Sequence, residues 1–294
     1  MIVVDWGTTN CRAFRLADGM IQDRAAGPGI LGVPPGGFPD ALRSVLAPWL
    51  AAGERRVLMS GMVGSRQGWV EAPYLPCPAD LAALAAAAVP VPVPFDGAAV
   101  RLLPGLSARD ADGVPEVMRG EEVQLFGALS ETGPDALVCL PGSHSKWVRL
   151  RAGRIEGFTT HLSGEAFAAL RGHTILGRMM PDAPHDAEGF RRGVDRSGQG
   201  GGLLHHLFGV RALGLFGELA EAQAASFLSG LLIGHELRAA GADQAGGRVH
   251  LIGSPVLAAL YADAITRCGA TPVIHDPDAA ATGLAHLAEH VAWT

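Results

Sequence analysis

The chain has 294 residues, 48% of them hydrophobic, and a formal net charge of −6 at pH 7. That length can bury a substantial core and fits two domains, while the negative balance argues against nucleic acid or an anionic membrane surface as the main partner. The most apolar run, residues 81–95, is broken by three prolines and cannot serve as a membrane span.

Ile2, Val3 and Val4 predict a buried strand that delivers Asp5 to its end, followed by the turn Gly7-Thr8-Thr9-Asn10 and a second strand carrying Arg12. Gly7 permits a sharp turn and close approach to a ligand. Thr8, Thr9 and Asn10 offer hydroxyl, amide and main-chain donors of the kind that cradle phosphate oxygens. Asp5 beside them suits Mg²⁺, which prefers hard oxygen ligands and substrate phosphates. Asp18-Gly19 predicts the turn of a hairpin. An ordinary hairpin with a polar turn is the competing reading of this segment alone.

A helix is expected from Phe38 to about Ala52, then a strand at 56–60 ending in the glycine-rich turn 61–65, a helix from about Ala79 and a strand at 98–105. The Asp-rich stretch 107–115 reads as a loop and a candidate domain boundary, which divides the chain into 1–115 and 116–294. A helix through RGEEVQLFGAL follows.

The second half begins with a strand at 136–140, the turn PGSHS, a strand from Lys146, a turn at Ala152-Gly153 and a further strand at 154–160. Its layout repeats that of the N-terminal segment, with Thr9 falling on Ser143 and Arg12 on Lys146. Lys146 is the only lysine among 23 basic residues. An ammonium beside Ser143, His144 and Ser145 would neutralise a phosphoryl group in transfer; a solvated surface lysine is the alternative. The stretches 202–216 and 220–241 read as mostly buried helices. At 249–255 a strand, Gly253-Ser254 and a helix opening on Pro255 form a platform for a nucleotide or a routine strand-to-helix junction. His161, His173, His205, His206, His235 and His250 lack ligand spacing and read as structural. The four cysteines are far apart, without CxxC, and fit buried thiols in a reducing compartment. No secretory signal is visible, so a cytoplasmic location is expected.

DWGTTNCRAFRL is similar to the first phosphate motif of the actin-like ATPase and sugar-kinase superfamily. Together with SGMVGSRQGWVEAPYLPCPA (60–79), MRGEEVQLFGAL (118–129), LPGSHSKWV (140–148), LSGEAF (162–167), FLSGLLIGHEL (227–237) and LIGSPVLAALYADAI (251–265), it resembles the 2-dehydro-3-deoxygalactonokinases over nearly the whole chain. The second phosphate segment departs from the usual acidic-glycine-threonine form of the superfamily.

The resemblance implies an α/β, two-lobed actin-like ATPase (ribonuclease H-like) fold with duplicated β-hairpin/βαβ cores and an interdomain cleft. It also implies transfer of the ATP γ-phosphoryl to the 6-hydroxyl of a 2-keto-3-deoxy sugar acid. Asp5 would position Mg²⁺. Gly7, Thr8, Thr9, Asn10 and Arg12 would approach the phosphates from one lobe, and Gly142, Ser143, His144 and Lys146 from the other. Gly253 and Ser254 would line the adenosine side. Glu121 is the first choice of general base and Glu122 the second, although either glutamate could simply favour a helix N-terminus. Arg66 and Arg119 are candidates for the substrate carboxylate, with Gly61, Met62 and Ser65 contributing from their turn. Trp69 and Tyr74 form a pocket wall, or Trp69 a core aromatic. Glu165 contacts substrate hydroxyls or caps its helix. A nucleotide-dependent sensor, a phosphohydrolase-like enzyme and a kinase for the gluco epimer are the competing functions, and a homodimer is left open.

Overall fold

A computed structural model describes residues 1–92, 95, 97–243, 246–276 and 279–293. It divides into two compact units: residues 1–135, 148–158 and 276–294, and residues 136–147 and 159–275.

The first part of the chain contains β1 (Ile2–Trp6), β2 (Asn10–Ala17), β3 (Met20–Pro28), α1 (Phe38–Ala51), β4 (Arg56–Ser60), β5 (Tyr74–Pro76), α2 (Leu81–Ala86), β6 (Val89–Pro90), β7 (Ala99–Leu102), β8 (Gly105–Arg109), β9 (Pro115–Met118), α3 (Glu121–Gly127) and α4 (Leu129–Thr132). Six strands form a mixed sheet in the order β3-β2-β1-β4-β7-β6. The parallel pairing of β1 with β4 sets Asp5 opposite Ser60. Asp18 and Gly19 both have positive φ, as the expected β2–β3 hairpin requires. Helix α1 turns Phe38, Leu42, Leu46 and Trp49 inward, a three-to-four-residue spacing that gives a single apolar stripe over the sheet.

The Asp-rich stretch 107–115 is not an open loop between domains. It lies in a hairpin, β8 paired antiparallel with β9, within the first unit. Asp110 stabilises its turn by accepting from the N–H groups of Asp112 and Val114, a local bond that competes well with regular structure in Asp-rich sequence. Beyond it, α3 packs on the C-terminal helix α10 (Ala279–His290), which places Glu121 and Glu122 in the first unit.

The remaining elements are β10 (Ala136–Leu140), β11 (Ser145–Arg151), β12 (Arg154–His161), α5 (Ser163–His173), α6 (Ala187–Ser197), α7 (Gly202–Leu215), α8 (Glu221–Ala239), β13 (Arg248–Leu251), α9 (Pro255–Arg267) and β14 (Thr271–Ile274). Their sheet runs β12-β11-β10-β13-β14. Both large sheets thus share a third–second–first–fourth run followed by one more parallel strand. Helix α8 buries eleven residues, as its sequence predicts. Helix α7 does not follow expectation: only His206 and Val210 are buried, and Leu204 and Phe208 stand exposed. Its sequence is apolar on every side, so the pattern carries no information about which face turns inward. Among the described residues no helix is long and apolar enough to cross a membrane.

Candidate active site

In the first unit the turn between β1 and β2 is fixed from behind. The N–H groups of Gly29, Ile30 and Leu31 donate to the carbonyls of Thr9, Gly7 and Thr8 at 3.1, 3.1 and 3.2 Å, and the Gly7 N–H donates to Asn10 at 2.9 Å. Gly29 is required there, because a Cβ would stand 2.3 Å from the Thr9 carbonyl carbon. With the carbonyls bonded, Thr8, Thr9 and Asn10 leave their side chains in solvent. Asp5, Gly7, Thr9, Asn10 and Arg12 line a cavity of about 470 Å³.

Asp5 and Arg12 are cross-strand partners. The Arg12 Nη2 and Nε donate to the same Asp5 oxygen, Oδ2, at 2.6 and 3.2 Å. A carboxylate and neighbouring hydroxyls are donors that suit Mg²⁺, which is usually held by one or two carboxylates together with substrate phosphates. Among the described residues no group of three or more His, Cys, Asp or Glu side chains is arranged to hold a metal.

Next to Asp5, Ser60 ends β4 and its hydroxyl donates to Glu122 Oε1 at 3.2 Å. Gly120, with φ at +107° and its Cβ position 3.3 Å from the Gly61 Cα, turns the chain into α3 where a side chain would be strained. Its N–H donates to both Glu122 oxygens at 2.9 and 2.8 Å. Glu122 is fully buried, and burial followed by the charge of Glu121 pushes its carboxyl up to about 8. Glu121 is half-buried at the first helical position and accepts from the Arg119 N–H at 2.9 Å. The two glutamates therefore differ: Glu122 is turned inward onto the backbone, and Glu121 keeps access to solvent.

The raised carboxyl of Glu122 has a stability consequence. The folded protein retains a proton that the unfolded chain has released, so the contribution of Glu122 to stability is fully present below the ordinary carboxyl range and is lost as pH rises toward about 8. Glu122→Gln removes this dependence. Its stability relative to wild type is expected to rise by roughly 3 kcal/mol between pH 5 and pH 8 in denaturant titrations; a gap independent of pH would contradict it.

Arg119 is 8% exposed. Its Nη2 donates to the Ala72 carbonyl at 2.8 Å and its guanidinium lies 4.4 Å from the centre of the Tyr74 ring. Among the described residues its buried Nε and Nη1 have no hydrogen-bond partner, nor has the Ser65 hydroxyl. Arg66 is not drawn into this group; it is exposed and paired with Glu71 at 2.9 Å. Trp69 stacks on Phe38 with planes 8° apart and packs with Met62 against the first core.

The second unit carries its own turn. Ser143 and His144 are exposed, whereas Lys146 is 5% exposed, with Nζ donating to Thr160 Oγ1 at 2.9 Å. Lys146 is thus not a solvated surface lysine. His144 Nε2 pairs with Glu165 Oε2 at 2.5 Å, and the Glu165 N–H donates to the Ser143 carbonyl at 3.0 Å. Glu165 makes no cap for α5; it ties that helix to the PGSHS turn. Beyond this turn lies a cavity of about 270 Å³ lined by Gly142, Ser163, Gly164 and Phe167, by Ser226 and Ile233 of α8, and by Leu257, Leu260 and Tyr261 of α9. Ser254 caps α9 through the Leu257 N–H and Pro255 opens it.

A family model described as 2-keto-3-deoxy-galactonokinase matches residues 5–287. The chain belongs to that family. The chain is 39% identical to a probable 2-dehydro-3-deoxygalactonokinase of Rhizobium meliloti, over 99% of this chain and 96% of the relative. It is 35% identical to the 2-dehydro-3-deoxygalactonokinase of Escherichia coli, over 80% of this chain and 78% of that one. A crystal structure of a Sinorhizobium meliloti protein given the same enzyme name as a provisional assignment matches with a TM-score of 0.90 at 38% identity, covering 98% of both chains. For a member of the 2-keto-3-deoxy-galactonokinase family, sequence reasoning passed over Ser60, Thr160, Tyr261 and Glu236. The first ends the strand before GMVGS, the second lies near the end of β12 in the second hairpin, and the last two sit within quoted family stretches.

Proposed function

We propose that this family member transfers the γ-phosphoryl of ATP to the 6-hydroxyl of 2-dehydro-3-deoxygalactonate. The observation that carries the reading is the grouping of Asp5, the Gly7–Asn10 turn, Ser60 and the Glu121-Glu122 pair at the carboxyl ends of adjacent strands β1 and β4. Phosphoryl transfer asks the protein for positioning, charge neutralisation and a proton acceptor, and each has a residue here.

Glu121 takes the proton of the attacking hydroxyl. Arg119, with two nitrogens unpartnered among the described residues, holds the carboxylate that distinguishes a sugar acid from a neutral sugar. Thr8, Thr9, Asn10 and Arg12 of the first turn serve the phosphates, as do Ser143, His144 and Lys146 of the second. The cavity lined by Gly142 and α9 takes the adenosine, and Gly253 and Ser254, which lead into α9, serve it. Asp5 would hold Mg²⁺, which when bound neutralises the β- and γ-phosphate oxygens.

Two results test this. Product analysis is expected to place the phosphate on the 6-oxygen; a phosphate elsewhere rejects the assignment. Arg119→Lys loses the planar fork, and its KM for the sugar acid is expected to rise about 10- to 100-fold, with the KM for ATP unchanged. An unchanged KM for the acid would remove Arg119 from the carboxylate site.

A further inference from the structure

The carboxylate of Glu236 has no part in the reaction as described above, yet it is 3% exposed at the end of the stretch FLSGLLIGHEL on α8. Each oxygen is taken by a neutral donor: the Trp147 indole N–H reaches Oε1 at 2.7 Å and the Tyr261 hydroxyl reaches Oε2 at 2.8 Å. A buried carboxylate held only by neutral groups is costly, and an apolar side chain would serve packing better.

The network continues toward the second turn. The Tyr261 hydroxyl lies 2.8 Å from Ser145 Oγ. Because the phenol gives its proton to Glu236, Ser145 is the donor in that second bond. Burial, and then the charge of Glu236, hold the phenol far above its ordinary pKa, so it remains a donor throughout the working range.

Ser145 and Trp147 are two residues apart on β11 and point to the same face, while Lys146 between them points to the other. On that other face Lys146 Nζ meets Thr160 Oγ1 at 2.9 Å on β12. One carboxylate therefore holds both neighbours of the lysine, Trp147 directly and Ser145 through Tyr261.

We propose that Glu236 is a positioning residue for Lys146, fixing through Trp147 and the Tyr261–Ser145 relay the direction in which the ammonium projects from the second turn. The proposal rests on the reading of Lys146 as a phosphate-facing cation, and its test separates the two. Because Lys146 is the only lysine of these 294 residues, labelling with [ε-¹³C]lysine gives a single side-chain signal in NMR spectra of this chain. Tyr261→Phe keeps the ring that lines the cavity and removes the relay hydroxyl; Ser145→Ala removes only the last link and serves if the first variant fails to fold.

In both variants the lysine signal is expected to shift, and kcat is expected to fall about tenfold with the KM for the sugar acid within about twofold of wild type. A signal unmoved in both folded variants overturns the proposal. A shifted signal with unchanged kcat upholds the positioning role and instead rejects the phosphate role of Lys146.

Discussion

Glu121→Gln is expected to lower kcat by about three orders of magnitude while nucleotide binding, read by titration with ATP, stays within about twofold of wild type. Glu121 and Glu122 are adjacent, but their surroundings divide their work. Glu122 accepts from Gly120 and Ser60 in full burial and holds a proton up to about pH 8. A carboxyl that is protonated at neutral pH cannot accept a second proton from an attacking hydroxyl. Glu121, half-buried on the same turn of α3, accepts from the Arg119 N–H and keeps access to solvent. Turnover by Glu121→Gln at the wild-type rate would move the base elsewhere, and Glu122→Gln would then be the variant that loses activity.

Lys146→Met is expected to lower kcat by about 100- to 1,000-fold with the fold intact, as judged by thermal unfolding, because the thioether keeps the volume of the stem and removes only the charge. Arg12 does not supply the same service on its own, since two of its nitrogens are committed to Asp5. A variant that retains full kcat would reduce Lys146 to a structural partner of Thr160.

Much of the first unit was legible because its signals are local. The apolar strand into Asp5, the Asp18-Gly19 hairpin and helix α1 all follow from spacing and turn chemistry within a few residues. The stretch 107–115 misled because Asp and Gly serve an open loop and a tight hairpin turn equally well, and the pairing of β8 with β9 is decided by tertiary contacts. Return of the C-terminal helix α10 to pack on α3 joins residues more than 150 positions apart, which no local pattern announces. Helix α7 was read as buried because it is apolar all round.

In the site, residue types pointed to the chemistry, but partners decided which residue could perform it. Arg66 and Arg119 look equivalent in sequence. One is exposed and already paired with Glu71, and the other is buried with two nitrogens unpartnered among the described residues. Lys146 could be singled out as the sole lysine, whereas the Glu236–Tyr261–Ser145 relay joins α8, α9 and β11 and exists only in the folded chain.

The most direct measurement is to incubate the purified protein with Mg-ATP and 2-dehydro-3-deoxygalactonate and to quantify ADP and phosphorylated acid in the same samples. Equal amounts of the two, formed only when the sugar acid is present, are the expected result. ADP released without phosphorylated acid would contradict the kinase assignment.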